Sequence, residues 1–435
     1  MGGGALLGWV LPEWDQNLPT PGLGFDASTA QATLAAIAGG MITLAGFVVT
    51  AITLVVQTVQ TMSPRLVGAL GHFSRYLVLF GLLIGTALYA LVALSHVHGR
   101  SVPRVSVTVA IALVLIDATV VLYLLSSLRH AVTGGGLARA VGRRLRTVID
   151  QTCPAQDSPA QDSPAQASPT RARPTRASPT QTCPAGRADT AQYPSPQGRE
   201  GAPVIVHSGR PAVIFSIDET VLTRIAARHG VRVVLVHPVG DFIRSGETVA
   251  YLEAGGTDCG RRTVRRVTAC FHYGPNRTVE QDTGYGFRLL ADIAIRALSP
   301  AVNDPTTAVQ ALDQIEDSLL RLASRPLGPA WLTDAKGTPR VFCPAPDWAG
   351  ILSLALDETL LYGASNPQTV RRLHALLQRL LATAPAHRQP ALTERSDALE
   401  RLAAATLTDP LLKRIVARPD RQGLGGTLAA DPSEP

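Results

Sequence analysis

Long apolar stretches dominate the first third of the chain. No charged residue occurs between Ala27 and Pro64, and two further apolar stretches follow before residue 130. A helix needs about 20 apolar residues to cross a bilayer core of roughly 30 Å. The pattern therefore predicts a transmembrane domain at 29–130 with three spans, at 29–62, 76–95 and 105–128.

A polar seam interrupts the first span at a helical three-four spacing. The seam consists of Ala36, Gly39, Thr43, Gly46, Thr50, Thr53, Gln57 and Gln60. Small residues let helix backbones approach, and Thr or Gln side chains hydrogen-bond between helices in lipid. The seam is therefore interpreted either as a helix-packing face or, in an oligomer, as the lining of a water-filled path. A span of this length extends past the bilayer, so its glutamines are expected at or beyond the cytoplasmic edge.

One acidic residue, Asp117, lies within the third span. Ionisable side chains inside a membrane are costly and indicate function by default, such as binding a cation or carrying a proton. The alternative is a protonated acid that only hydrogen-bonds between helices. Both interpretations remain open at this point.

A basic segment and a repeat follow the spans. Residues 131–150 place apolar side chains at helical spacing among arginines: Leu137, Val141, Leu145 and Val148. This predicts an amphipathic juxtamembrane helix whose arginines meet anionic lipid head groups. Prolines recur every five residues within 151–200, a low-complexity pattern that cannot bury a core, so a disordered loop is predicted there.

The remaining sequence predicts a cytoplasmic α+β domain, with a small β half-barrel followed by a helical bundle. Residues 201–258 alternate β-branched side chains with Gly-Asp and Ser-Gly turns, and "HPVGDFIRSGETVAY" resembles the half-barrel of biotinyl and lipoyl carrier domains. No lysine occurs between 201 and 260, so a swinging-arm cofactor is not expected. Residues 259–420 are predicted to form a helical domain, and within it residues 346–418 place apolar side chains at a 3.6-residue spacing. Residues 1–28 are predicted to be an extracytoplasmic remnant, and 421–435 a disordered tail.

Composition agrees with a chain that is part membrane and part globular. Of 435 residues, 46% are hydrophobic and only 17% are charged. Nearly all positive charge is arginine, because Lys336 and Lys413 are the only lysines. The five cysteines form no C-x-x-C pair, and no nucleophile elbow, phosphate loop or paired catalytic carboxylate occurs. We therefore expect no catalytic residues, no metal site and no cofactor.

The distribution of arginine predicts orientation. The first connection carries Arg65 and Arg75, the second carries Arg100 and Arg104, and five more follow the third span: Arg129, Arg139, Arg143, Arg144 and Arg146. Cytoplasmic loops are enriched in arginine. An N-terminus outside places seven of these nine arginines inside, whereas the reverse orientation places two there. The half of the chain after residue 130 is therefore predicted to be cytoplasmic.

Two segments carry a family resemblance. They are "MITLAGFVVTAITLVVQTVQTMSPRLV" and "RTVEQDTGYGFRLLADIAIRALSPAVNDPTTAVQALDQI". Together they closely resemble a bacterial family of predicted membrane proteins, domain of unknown function 2254 (DUF2254), and the likeness runs from about residue 30 to 380 outside the repeat. The residues that match its motifs are Ser63, Pro64, Arg65, Glu280, Gln281, Asp282, Arg296, Ser299, Pro300, Asn303, Asp304 and Pro305.

The resemblance implies a multi-pass protein of the bacterial inner (plasma) membrane. Members look like four-span proteins with a cytoplasmic C-terminal half. Here the first span is expected to be missing, and "GALLGWVLP" resembles its last turns. Asp117 matches no family feature.

The second motif has two chemical interpretations. In the first, Asp304 caps a helix that begins at Pro305, Ser299-Pro300 ends the preceding helix, and Arg296 pairs with Asp282. In the second, Asp282, Arg296, Asn303 and Asp304 converge on a ligand or ion.

Two functional hypotheses follow. The first is an oligomeric channel or transport protein whose first helix lines a path and whose cytoplasmic half gates it. The second is a membrane-anchored sensory or scaffolding protein without a pore. The expected partners are the lipid bilayer and further copies of the chain, with no nucleic acid and an unknown ligand.

The predicted topology can be tested with a reporter that is active only in the periplasm. Fusions after Pro154 and Pro435 should be inactive, because the arginine distribution places both sites in the cytoplasm. A fusion after Arg100, in the connection predicted to lie outside, should be active and serves as the control. Activity at either of the first two sites would refute the map.

Overall fold

The computed structural model describes most of the chain in two compact units. The described residues are 26–62, 73–97, 104–132, 134–153, 203–254 and 260–424, with single positions Leu6, Leu7, Trp9, Arg187, Ala188 and Pro194. Contacts divide the chain into residues 1–137 and residues 138–435, which we call unit 1 and unit 2. The expectations for the N-terminal remnant, the proline repeat and the C-terminal tail fall almost wholly outside the described residues.

The described part of unit 1 contains three long apolar helices, as hydropathy predicts. They are α1 (Ala27–Met62), α2 (Phe73–Ser95) and α3 (Arg104–Val132). Each contains a stretch long and apolar enough to cross a membrane: Ala27–Leu54, Leu77–Ser95 and Val105–Tyr123. α1 has 36 residues, which gives it a length of about 54 Å.

Small side chains let the three helices of unit 1 pack closely. α1 contacts both α2 and α3. One apolar cluster is built around Leu34 of α1, Tyr89 of α2 and Val107 of α3, with alanines between them. A second cluster joins Met41 and Leu83, among others, to partly buried valines of α3. The Tyr89 hydroxyl donates a hydrogen bond of 3.1 Å to the Ser106 carbonyl oxygen, so its polar end is satisfied inside the contact.

Unit 2 is an α+β region that begins within helix α4 (Gly134–Thr152), and its described strands form two sheets. Its nine described strands are β1 (Arg187–Ala188), β2 (Val204–Val206), β3 (Ala212–Ile217), β4 (Val231–Leu235), β5 (Phe242–Ile243), β6 (Thr248–Ala254), β7 (Phe271–Gly274), β8 (Ala330–Thr333) and β9 (Pro339–Cys343). The larger sheet has the order β1-β8-β9-β4-β6-β2, and the smaller has the order β5-β3-β7. β4 and β9 pair in parallel, whereas the other neighbours are antiparallel.

The predicted half-barrel is not confirmed. β7, β8 and β9 come from residues 259–420, which are predicted from the sequence to form a helical domain, and they complete both sheets. Two short helices lie between strands: α5 (Glu219–His229) and α6 (Arg261–Thr268). Asp218 caps α5, and Gly230, with a φ of 65°, ends it, as the sequence "IDETVLTRIAARHG" predicts.

The rest of unit 2 is mostly helical. Its helices are α7 (Thr283–Ala297), α8 (Pro305–Leu322), α9 (Trp348–Leu352), α10 (Glu358–Gly363), α11 (Pro367–Thr383), α12 (Gln389–Thr406) and α13 (Pro410–Val416), with a π-helical turn at Ser353–Asp357 between α9 and α10 and a 3₁₀ turn at Ala386–Arg388. α8 packs on α7 and α11, and α11 packs on α12 and α13. The helix that begins at Pro305 is therefore central to this region, although a strict bundle architecture is not confirmed.

The basic helix α4 is an integral part of unit 2. Its apolar side chains Leu145, Val148 and Ile149 are buried. Arg144 pairs with Glu280. Asp150 accepts hydrogen bonds from Arg321, near the end of α8, and from Arg325, just after α8. The predicted amphipathic pattern is therefore present, but protein covers its apolar face. A position near lipid head groups stays a prediction for the exposed arginines of α4.

Close packing at Gly142 of α4 provides a test of this contact. A Cβ atom there would lie 2.9 Å from Gln314 Cβ and 2.4 Å from Gln314 Oε1 on α8. Gly142→Leu should therefore overpack the contact and destabilise the protein by about 1–3 kcal/mol. The matched control, Arg143→Leu, places the same side chain on the exposed side of α4. Thermal unfolding of the detergent-solubilised chain should show a lower melting temperature for the first variant alone, and equal melting temperatures would contradict this packing.

Candidate functional site

The polar seam lies on the side of α1 that faces away from α2 and α3. Buried residues of α1 occupy the opposite side, whereas the seam residues from Gly39 to Gln57 are exposed. A Cβ atom added at Gly39 or Gly46 would meet nothing within 4 Å. The seam therefore does not pack on the other helices described in unit 1. The side chain of Gln60 and the motif Ser63-Pro64-Arg65 lie outside the described residues.

The threonine hydroxyls of the seam are satisfied by their own helix. Thr43 donates to the Gly39 carbonyl oxygen at 2.9 Å, Thr50 to that of Gly46 at 3.0 Å, and Thr53 to that of Val49 at 2.9 Å. Because each hydroxyl proton is donated to a carbonyl of the preceding turn, these hydroxyl groups need no hydrogen-bond acceptor from water or from a second helix. The hydroxyl oxygens keep lone pairs that can accept further hydrogen bonds.

An open groove runs along the first turns of α1. It has a volume of about 980 Å³, and hydroxyl groups of Ser28, Thr29 and Thr33 lie along it. Met41 of α1 and Val114 of α3 also line the groove, together with alanines and Gly40. The groove is therefore polar near the start of α1 and apolar towards the middle of unit 1.

Asp117 is completely buried in unit 1. Neither of its carboxylate oxygens makes a hydrogen bond with any described residue. The buried hydroxyl of Thr86 on α2 lies near the carboxyl group without meeting hydrogen-bond geometry. A buried carboxyl group without a hydrogen bond is costly, so Asp117 is an exception that packing alone does not explain.

In unit 2, the Glu280-Gln281-Asp282 motif ties the start of α7 to two neighbouring elements and caps α7 itself. Gln281 accepts a hydrogen bond from the Ile217 backbone N–H at 2.8 Å and donates one to the Ile217 carbonyl oxygen at 3.0 Å, which fixes α7 to β3. Glu280 pairs with Arg144 of α4. Asp282 accepts a hydrogen bond from the Tyr285 N–H at 2.8 Å and thereby caps α7.

The partner of Asp282 is Arg277, and the predicted pair with Arg296 does not form. The Arg277 guanidinium donates two hydrogen bonds, of 2.7 and 2.9 Å, to Asp282 Oδ2. Arg296 is exposed near the other end of α7, about 20 Å along the helix axis. The predicted convergence of Asp282, Arg296, Asn303 and Asp304 on one ligand is therefore wrong. Burial raises the pKa of Asp282, and the charge of Arg277 acts against this shift.

The second half of the motif shapes the connection between α7 and α8. Asn303 adopts a left-handed conformation with a φ of 47°. Asp304 accepts a hydrogen bond of 3.0 Å from the Thr307 N–H and caps α8, with Pro305 at the first position. Ser299 donates to the Arg296 carbonyl oxygen at the end of α7. The helix-capping interpretation of Asp304, Pro305 and Ser299 agrees with these contacts.

Sequence reasoning missed how closely a turn approaches Asp282. Gly240, with a φ of 101°, follows the Pro-Val pair of the β-rich segment, and a Cβ atom there would lie 2.1 Å from Asp282 Oδ2 and 2.9 Å from Arg277 Nε. Only glycine fits this position, because both the conformation and the space exclude a side chain. The Gly-Asp dipeptide signals a turn, but nothing in its spacing identifies the residue that it meets.

The chemistry available in the described part of the chain is limited. No group of three or more His, Cys, Asp or Glu side chains that could hold a metal ion lies there. Its cysteines, Cys153, Cys270 and Cys343, are buried thiols that form no disulfide among the described residues. Burial raises the pKa of Cys270 to about 11, so this thiol stays protonated at neutral pH.

The Arg277–Asp282 contact predicts unequal roles for two arginines. Arg277→Gln should destabilise the protein by roughly 1–3 kcal/mol, because it leaves a buried carboxyl group without its charged partner. The matched control Arg296→Gln, at an exposed position, should change stability by less than about 0.5 kcal/mol. Melting temperatures of the detergent-solubilised variants measure the difference. A larger loss in the Arg296 variant would restore the pairing predicted from sequence.

Comparison with known proteins is consistent with this architecture. The family of predicted membrane proteins called DUF2254 matches residues 1–379. Uncharacterized proteins of Mycobacterium bovis and Mycobacterium tuberculosis are each 29% identical to the chain over 293 residues, which is 66% of this chain and 49% of the relative. The chain thus spans about half the length of these curated relatives, and no solved structure matches it significantly. Because the family match covers most of its length, the chain belongs to the DUF2254 family of predicted membrane proteins.

Proposed function

We propose that this protein is a homo-oligomeric channel or transport protein of the bacterial inner membrane, with unit 2 as a cytoplasmic regulatory domain. The observation that carries the proposal is the position of the seam. Small and polar side chains line one side of α1, and that side is exposed although α1 packs on both other helices of unit 1. A membrane helix with such a face is well suited to contact another copy of itself.

The composition of the exposed face favours a helix contact with polar character. Gly39 and Gly46 let a neighbouring backbone approach closely, since nothing fills the space beside them. Thr50 and Thr53 follow on the same face and keep free lone pairs. Several α1 helices arranged around an axis would therefore place threonine oxygens along a common path.

The length of α1 supports a path that opens on the side predicted to be cytoplasmic. Its 36 residues exceed what a bilayer core of roughly 30 Å requires. Gln57 is exposed near the C-terminal end of α1, and the arginine distribution predicts that this end is cytoplasmic. A cytoplasmic mouth near Gln57 could then respond to unit 2. No catalytic activity and no nucleic acid partner form part of this proposal, and the transported species is not specified.

The second candidate is a membrane-anchored sensory or scaffolding protein without a pore. The observation that favours it is the satisfaction of Thr43, Thr50 and Thr53 by their own backbone carbonyls. A face with satisfied hydroxyls can remain dry against lipid or another helix. The stoichiometry of the purified protein separates the candidates, since a ring of several copies favours the first and a monomer excludes it.

Water access along the seam gives a sharper test. In a cysteine-free background, single cysteines at Thr50, Thr53 and Gln57 should react with a small water-soluble thiol reagent if the seam lines a path. Cysteines at Val48 and Ile52, on the side that packs within unit 1, should be protected and serve as controls. The measurement is the extent of modification in intact membranes.

The pattern of protection decides between the two candidates. Reaction at the three seam positions with protection at both controls supports the path. Uniform protection along the seam means a dry contact or lipid exposure, and it refutes a water-filled path. The native cysteines, including Cys183 and Cys259, are removed so that only the introduced thiol can react with the reagent.

A further inference from the structure

Asp117 is buried within the apolar span of α3. It lies twelve residues after Val105, which places it about 18 Å along α3 from the start of the apolar span. Val114 and Val121, one turn away on either side, pack against the second apolar cluster with Leu83 and Met41. The aliphatic side chains before and after Asp117 on α3 therefore pack into a cluster that contains residues of all three helices.

Within the described apolar spans of unit 1, no residue of opposite charge lies beside this carboxyl group. α1 contains no ionisable residue from Ala27 to Met62. Within the apolar span of α2, Leu77–Ser95, Tyr89 is the single ionisable residue, and its hydroxyl is engaged with the Ser106 carbonyl oxygen. On α3, Asp117 is the one charged residue between Val105 and Tyr123. Thr86 is a neutral polar neighbour.

The surroundings suit a neutral acid far better than an ionised one. A carboxylate without hydrogen bonds loses its hydration and gains nothing in return, so burial favours the protonated form. A metal ion would need several oxygen ligands, and the described residues provide no cluster of three acidic, His or Cys side chains. A proton needs a single oxygen and no additional space.

The groove on α1 offers a route by which a proton can reach Asp117. Its end near the start of α1 carries the hydroxyls of Ser28, Thr29 and Thr33, which can hold water. Val114 lines the groove and is three residues from Asp117 on the same helix. Opening of the contact beside Val114 would therefore connect the carboxyl group with water in the groove.

We propose that Asp117 is a proton-binding site within the membrane helices, with the groove on α1 as its access route. In the arrangement seen here the carboxyl group holds one proton. On release its O–H bond breaks, the proton passes to a water molecule in the groove, and a carboxylate remains; uptake is the reverse. The site does not require the seam to line a path, so it stands or falls independently of the proposed channel.

Infrared spectroscopy of the full chain reconstituted in lipid tests this site. At neutral pH, the wild-type protein should show the carbonyl stretching band of a protonated carboxylic acid in apolar surroundings. The band should be lost in Asp117→Asn, which keeps the size of the side chain. It should persist in the matched control Asp397→Asn, which alters an exposed acid on α12. In heavy water the wild-type band should shift, because the groove lets solvent protons exchange with the carboxyl group.

Each other outcome overturns the proposal. Absence of the band in the wild-type protein means that Asp117 is ionised, whichever variants fold. A band that survives in Asp117→Asn belongs to another acid, such as the buried Asp282. A band that does not shift in heavy water means a sealed acid without an access route. If Asp117→Asn fails to reach the membrane, isotope labelling of aspartate shows whether the band comes from an aspartate, and Asp282→Asn shows whether it comes from Asp282. A band that does not shift on aspartate labelling, or that is lost in Asp282→Asn, contradicts the proposal.

Discussion

Hydrocarbon supplies no hydrogen bonds, and this constraint governs every polar group in unit 1. Helices satisfy their own backbone, which is why three long helices form there. The threonines of α1 return their hydroxyls to carbonyls of the preceding turn, and Tyr89 finds the Ser106 carbonyl oxygen. Asp117 is an exception, since neither of its carboxyl oxygens makes a hydrogen bond with a described residue. Function is therefore best sought where the constraint is met incompletely.

Unit 2 depends instead on arginine side chains, several of which bind more than one acceptor at once. Arg388 is buried and donates hydrogen bonds of 2.6 to 2.8 Å to carbonyl oxygens at and after the end of α8, while its guanidinium lies 5.2 Å from the Trp348 ring. Arg372 of α11 binds Asp313 and Glu316 of α8, and Arg395 of α12 binds Asp357. A lysine has no planar set of donors for several acceptors at once. The scarcity of lysine in the sequence thus has a structural counterpart.

The sequence predicts best those features that a local pattern encodes. The three spans follow from apolar runs, and the cap at Asp304-Pro305 follows from residues that are adjacent in the chain. The pairing of distant strands has no local sequence signal. β4 pairs with β9 across about a hundred residues, so the order of the strands in the sheets does not follow from the sequence. One interpretation of the sequence pairs Asp282 with Arg296, whereas in the structure Arg277 binds Asp282 and the turn at Gly240 packs against both. The sequence also does not show which side of α1 is exposed, because that depends on how α1 packs on α2 and α3.

The packing of α4 also has a consequence for how the chain is made. Asp150 of α4 is bound by Arg325, which lies 175 residues later. During synthesis α4 therefore leaves the ribosome well before α8, the helix that covers it, has been translated. Over that interval the nascent chain presents an amphipathic, arginine-rich helix directly after its hydrophobic segments. Such a helix binds anionic membrane surfaces, so the newly made chain has a surface-bound intermediate open to it that the folded protein no longer has.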